Sequence, residues 1–185
     1  MHWKNKETFE LRGYTLDKHI KAVALSHQEA LTYKPLKNTV LISYANYDHG
    51  KMFSPMPEKV KKRYKAVLEL PVNDIDRIDA DTLAIFEQMY PNKNFHVFDY
   101  NDYQKLHDFI EKYQDSYFIV HCDAGVSRSS ATALYIDQKY APDDYEKLKS
   151  LPIYYPNALI FGYLSEGKMN EEILEKYSHE LYKSW

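Results

Sequence analysis

A chain of 185 residues with 44% apolar residues, five glycines and a net charge of −3 is long enough to bury one sizeable core, and has no excess positive charge to draw it to nucleic acid or an anionic membrane. One cysteine cannot close an internal disulfide, which points to a reducing compartment. The opening MHWKNKETFELRG lacks the apolar stretch of a signal peptide and no apolar run approaches membrane-spanning length, so a soluble, cytoplasmic protein is expected.

No Pro/Gly/Ser-rich linker or internal repeat divides the chain, so residues 1–185 read as a single domain. Residues 1–20 are polar and aromatic without a clear period and are expected as a peripheral strand or covering arm. KAVAL (21–25) has the length and composition of a first core strand, and Ser26 is placed to cap a short helix, HQEALTY. TVLIS (39–43) is a β-branched run that suits a buried strand. YANYDHGKMFSPMP, with Gly50, Pro55 and Pro57, reads as a loop. AVLELPV (66–72) is a third strand that runs into the acidic turn NDIDRIDAD.

Ile85, Phe86, Met89 and Tyr90 then recur at helical spacing until Pro91 stops them. Asn101 with Gln104 has the pattern of a capping box, and Leu106, Phe109, Ile110 and Tyr113 follow on one helical face. A fourth strand is expected at 117–120. After it come a helix rich in Ser and Ala from Ser129 to about Tyr140, another from Pro142 to Leu148, a third capped by Asn157, and a last one marked by Ile173, Tyr177 and Leu181. Strands alternating with helices predict an α/β fold: a central, mostly parallel sheet of four or five strands with helices on both faces. Ligands in such sheets bind at the carboxyl ends of the strands.

The chain is organised around FIVHCDAGVSRSSATA (118–133), a strand, a tight loop and a helix start. This junction aims successive backbone N–H groups at a helix N-terminus, where the dipole favours an anion. Cys122 stands at the mouth of that anion site. Arg128 can fold back over it with a planar fork that fits two oxygens of a phosphate. A lone cysteine is more often a small buried hydrophobe than a nucleophile. Here Gly125, Arg128 and a helix start follow it, and a helix N-terminus and an arginine both favour the reactive thiolate. Ser129 reads equally as the helix cap and as a hydroxyl that bonds the sulfur when it leaves. His121 reads equally as a strand-end histidine satisfying backbone groups and as a supporting residue of the site.

VHCDAGVSRSS resembles the signature of the cysteine-dependent protein tyrosine phosphatases, and in particular their dual-specificity-like branch, whose loop ends in S-R-S. The order VALSHQEA, TVLISYA, LELPVNDID, a capped helix ending in DFI, the signature and YYPNALIFGYL is similar to small bacterial and phage-encoded phosphatases over roughly residues 22–165. The resemblance implies a phosphomonoester hydrolase that works through a cysteinyl-phosphate. Cys122 would be the nucleophile, with Arg128 and the loop residues Asp123, Ala124, Gly125, Val126 and Ser127 holding the phosphoryl group. The family's general acid is an aspartate, and PVNDID puts Asp74 in that position with Asp76 next; Asp99, Asp102, Asp79 and Asp81 are explained as helix-start residues. No metal or other cofactor is implied, and the acidic run Asp74, Asp76, Asp79, Asp81 lacks the central Gly and terminal Glu of a calcium loop.

The loop positions 123–127 contain no lysine or arginine, which favours a phosphorylated protein or peptide over a polyanionic head group. The cluster Lys59, Lys61, Lys62, Arg63 and Lys65 reads as a solvated face ahead of any substrate or nucleic-acid contact. Two other classes remain open: a phosphate or phosphoprotein-binding module without turnover, and a rhodanese-like sulfurtransferase, which the Cys-to-Arg spacing and the preceding His fit less well.

Overall fold

The runs richest in branched apolar residues form the middle of the molecule, where a pleated surface covered on both sides suits them best. The computed structural model describes residues 3–4, 8–17, 20–48, 51–52, 54–89, 91 and 95–182. In chain order these form β1 (Trp3–Lys4), β2 (Thr8–Leu11), β3 (Tyr14–Asp17), β4 (Ala22–Ser26), α1 (His27–Thr32), β5 (Thr39–Ala45), β6 (Tyr47–Asp48), β7 (Lys51–Met52) and α2 (Glu58–Lys61). They continue with β8 (Val67–Pro71), α3 (Ala80–Met89), α4 (Tyr100–Lys112), β9 (Tyr117–Cys122), α5 (Arg128–Tyr140), α6 (Pro142–Lys149), α7 (Ala158–Glu166) and α8 (Glu171–Tyr182).

The expected α/β architecture is the one that forms. β4, β9, β5 and β8 lie side by side in that order as a four-stranded, all-parallel sheet. β5 is buried at every residue, as a strand covered on both faces must be. Successive side chains of β9 point to opposite faces: His121 meets the ring of His27 in α1, while Cys122 bonds Ser129 in α5. Helices therefore cover both faces of the sheet. α5 is the central helix, with every residue from Arg128 to Asp137 buried, and its Ser, Ala and Thr side chains are small enough to let it lie close against the strands.

β4 is an edge strand whose outward backbone donors are nonetheless taken by side chains. Asp137 Oδ1 accepts from the N–H groups of Lys21 (2.7 Å) and Ala22 (3.1 Å), the Tyr154 hydroxyl from Ala24 (3.0 Å), and Glu29 Oε2 from Ser26 (2.7 Å).

Ser26 caps α1 in a full capping box with Glu29, and Asn157 caps α7 by accepting from the Ile160 N–H. The capping box of α4 differs from the expected one: Asp99 is the N-cap and Asp102 its partner, two residues ahead of Asn101. A charged oxygen at the N-cap serves the helix dipole better than an amide does, and Asn101 falls inside the first turn. α3 is helical as predicted, but its periodic residues do not face the core; Ile85 is 57% and Met89 58% exposed. The loop after β5 contains the two-residue ladder β6–β7. Residues 1–20, expected as a peripheral strand or arm, include the antiparallel sheet β1–β2–β3, and Leu11 and Leu16 are fully buried in the core. Strands of two to four residues are too short to display a period. Gly50, assigned above to a loop, and Tyr90, assigned to a helix end, lie outside the described residues.

The basic cluster is largely committed to structure. Lys61 pairs with Glu58 and Glu69, Arg63 donates to the carbonyls of Leu31 and Tyr33, and Lys65 reaches Asn38.

Candidate active site

β9 ends at Cys122 and α5 begins at Arg128, so residues 123–127 must convert a strand into a helix. Each carbonyl of this loop is held by a partner outside it. The His27 N–H binds Asp123 O (3.1 Å), and Arg12 Nη2 and Nη1 bind Ala124 O (3.0 Å) and Gly125 O (3.3 Å). The Tyr155 N–H and the Ser130 hydroxyl bind Val126 O, while the Ala131 and Asn157 N–H groups bind Ser127 O (3.0 and 3.2 Å). In a trans peptide the C=O and the following N–H point in opposite directions. The N–H groups of residues 124–128 therefore turn away from these partners, to the inner side of the loop at the start of α5.

Gly125 makes this path feasible. Its φ is +73°, and an added Cβ would lie 2.4 Å from backbone atoms of Leu25 and Ser26. The N-cap position of α5, Ser127, makes no side-chain cap; its hydroxyl donates to Asp74 instead. A buried helix start with no protein cap is a ready site for an anion.

Arg128 is 2% exposed, and one edge of its guanidinium is anchored. Nη1 donates to Val72 O (2.6 Å) and to Asn46 Oδ1 (2.8 Å). Nη2 lies 3.4 Å from Asp123 Oδ2, and Nε has no hydrogen-bond partner among the described residues. The short Nη1 bonds fix the plane, while the Nε/Nη2 edge, with carboxylate oxygens only at 3.4 and 3.7 Å, has the fork geometry that suits a two-oxygen acceptor. Cys122 is buried, with Sγ 3.1 Å from Ser129 Oγ. Ser129 lies inside the first turn of α5, whose N-cap is Ser127, so its reading as the helix cap does not hold. His121 is fully buried; Nε2 bonds Ser43 Oγ at 2.7 Å, and burial together with the nearby His27 pushes its pKa down to about 3, leaving the ring neutral.

Asp74 follows β8 and comes to the loop. Its Oδ1 accepts from Ser127 Oγ (2.7 Å) and Asn157 Nδ2 (3.1 Å), and its Oδ2 stands 3.7 Å from Arg128 Nε. The other aspartates are engaged elsewhere or stay clear of the loop. Asp79 bonds Thr82 at the start of α3, Asp99 caps α4, and Asp102 bonds His96 at 2.6 Å. No hydrogen bond joins Asp76 or Asp81 to the loop among the described residues. His96, Asp99 and Asp102 are the one group among the described residues with metal-ligand spacing, and capping and the His96 bond already use all three. Burial raises the Asp102 pKa.

The structure thus gathers Cys122, Ser129, Arg128, Asp74 and the loop residues 123–127 at one place. It adds residues to which the sequence assigned no part in the site. Asn46 orients both Arg128 and, through Nδ2 (2.9 Å), Asp123. Asn157 caps α7 and also holds Asp74 and the Ile75 carbonyl. Arg12 grips two loop carbonyls. Asn46 stands just past the carboxyl end of β5, which is the signal that could have singled it out.

No protein-family model matches the chain, and no curated protein matches it. Among solved structures, the crystal structure of human DUSP28 is similar at 17% sequence identity, with 90% of this chain and 96% of that chain covered and a TM-score of 0.46.

Proposed function

We propose that this chain is a single-domain phosphomonoester hydrolase, a protein tyrosine or dual-specificity phosphatase of the cysteine-dependent kind, acting through a cysteinyl-phosphate and without a metal or organic cofactor. The reading rests chiefly on Arg128: a guanidinium anchored through Nη1, whose Nε/Nη2 edge meets only the longer contacts of Asp123 and Asp74, at the uncapped start of α5 across the loop from Cys122.

The loop N–H groups and the Nε/Nη2 edge of Arg128 bind the three non-bridging oxygens of the phosphoryl group, and their hold tightens as charge builds on those oxygens. The Cys122 thiolate attacks phosphorus in line; the S–P bond forms as the P–O bond to the leaving group breaks. Asp74, in its protonated form, gives its proton to the departing oxygen. In the second step the ionised Asp74 takes a proton from water as the water attacks phosphorus. The S–P bond then breaks with the Ser129 hydroxyl donating to the sulfur. Ser127 and Asn157 hold the Asp74 side chain over the loop through both steps.

The substrate is a phosphorylated protein or peptide. The loop offers no basic side chain to a polyanionic head group, and Asp123, beside Arg128 Nη2, adds a repulsive one. The compartment is the cytoplasm, in keeping with the lone cysteine; no described helix is long and apolar enough to cross a membrane.

Hydrolysis of an aryl phosphate by wild type, Cys122→Ser and Asp74→Ala tests this. Cys122→Ser abolishes turnover but still binds phosphate or vanadate, because the loop and Arg128 survive. Asp74→Ala slows the chemical step by ~10²- to 10⁴-fold, the range of a general acid. Turnover that persists in the serine variant would exclude the covalent route. Oxyanion binding by a wild type with no turnover would instead mark a binding module.

A further inference from the structure

β2 and β3 are joined by the two-residue turn Arg12-Gly13, with Leu11 paired to Tyr14. Both turn residues have positive φ, 48° and 90°, as the twist of a tight hairpin requires. Such positions favour Asn and Gly, since the Cβ of other residues crowds the following carbonyl there. Arginine brings no local compensation, so the reason for it lies in where its side chain goes. Glu29 grips one edge, with Nε–Oε1 at 2.9 Å and Nη2–Oε2 at 2.7 Å. Nη1 and Nη2 also donate to Gly125 O and Ala124 O, across more than a hundred residues of chain. Glu29 is itself fixed by the capping box of α1. The Glu29 hydrogen bond raises the pKa of Arg12, so the fork stays charged.

We infer that Arg12 is a positioning residue of the active site: it locks the peptide planes 124–125 and 125–126 so that the N–H groups of Gly125 and Val126 face the bound phosphoryl group. This rests on the phosphatase reading above and extends the catalytic unit to a hairpin outside the stretch that carries the family resemblance. The lock is needed because Gly125 has no Cβ to restrict rotation, and the positive Arg128 nearby attracts any carbonyl that is free to turn inward. One such flip replaces an N–H donor with a carbonyl oxygen where the anion must sit.

Arg12→Gly is the discriminating substitution, because glycine suits the positive φ and the hairpin loses only the guanidinium. Wild type, Arg12→Gly and Arg12→Lys are compared for vanadate inhibition, for kcat and KM on an aryl phosphate, and for thermal melting. In Arg12→Gly, vanadate affinity and kcat/KM fall about ten- to a hundredfold, the loss expected when one or two oxyanion donors are misaimed. Melting stays cooperative, and added guanidinium ion at millimolar concentration restores part of the loss. Arg12→Lys, charged but without a fork, falls between the two and decides the matter if the glycine variant does not fold. Wild-type vanadate affinity and kcat/KM in the variants would overturn the inference. A wild type that binds no oxyanion would instead remove the phosphatase reading beneath it.

Discussion

Replacing Gly125 with alanine subjects the loop to two separate penalties. Alanine at a φ of +73° costs about 1–2 kcal/mol, because its Cβ crowds the following carbonyl. The new Cβ also lies 2.3 Å from Arg12 Nη2 and 2.4 Å from Leu25 C and Ser26 N. The arginine can swing aside, but the two backbone atoms belong to β4, which is hydrogen-bonded along its length to β9. Contact at ordinary distance then requires the loop to retreat by about an ångström, and a misplacement of that size in a catalytic site costs roughly a hundredfold in rate. We expect Gly125→Ala to lose on the order of 10² in kcat/KM on an aryl phosphate and about 2–4 kcal/mol of stability in urea denaturation. A variant with wild-type turnover and an unchanged denaturation midpoint would refute the claim that this close packing sets the loop.

Asn46→Ala leaves Arg128 Nη1 with Val72 O alone and Asp123 Oδ2 with Arg128 Nη2 alone. Loss of a hydrogen bond to a charged group costs about 1.5–3 kcal/mol, or roughly ten- to a hundredfold in kcat/KM, and a wild-type value would show that Val72 suffices. Stability should depend on pH through two buried groups of opposite sign. Burial holds the Asp137 carboxyl well above its usual 3.8, despite the Lys21 and Ala22 N–H groups on Oδ1. The unfolded chain therefore ionises first, and the fold loses up to about 1.4 kcal/mol per pH unit as pH rises above 3.8. His121 acts the other way: its folded pKa is about 3 against 6.5, so its contribution is complete above 6.5 and is lost as pH falls from there toward 3. Thermal melts should accordingly show Asp137→Asn gaining stability relative to wild type more at about pH 8 than at about pH 5. An identical pH slope in both proteins would rule out the buried carboxylic acid.

The parallel sheet and most helices were legible because their signals are local. TVLIS is branched and short, Ser26 and Asn157 stand where caps belong, and Leu106 and Ile110 lie on one helical face. α3 shows the limit of such signals, since its spacing specifies a helix but not whether anything packs on it. In the site, Cys122 and Arg128 are six residues apart and could be read together. Asn46, Val72 and Arg12 reach the same place from 82, 56 and more than a hundred residues away in the chain, and only the sheet order brings them in. Arg12 in particular sits in the turn between two strands too short to announce themselves.

The side chains along β4 bear on association as well as on folding. An edge strand normally presents a ladder of open donors to any extended segment of another chain, the geometry through which sheets extend into aggregates. Here Asp137, Tyr154 and Glu29 occupy the outward N–H groups of residues 22, 24 and 26, and Asp137 also takes the N–H of Lys21 just before the strand. An incoming strand would have to displace these anchored side chains before its carbonyls could accept from β4. The donor side of β4 is thus blocked by side chains, with no further strand paired to it among the described residues.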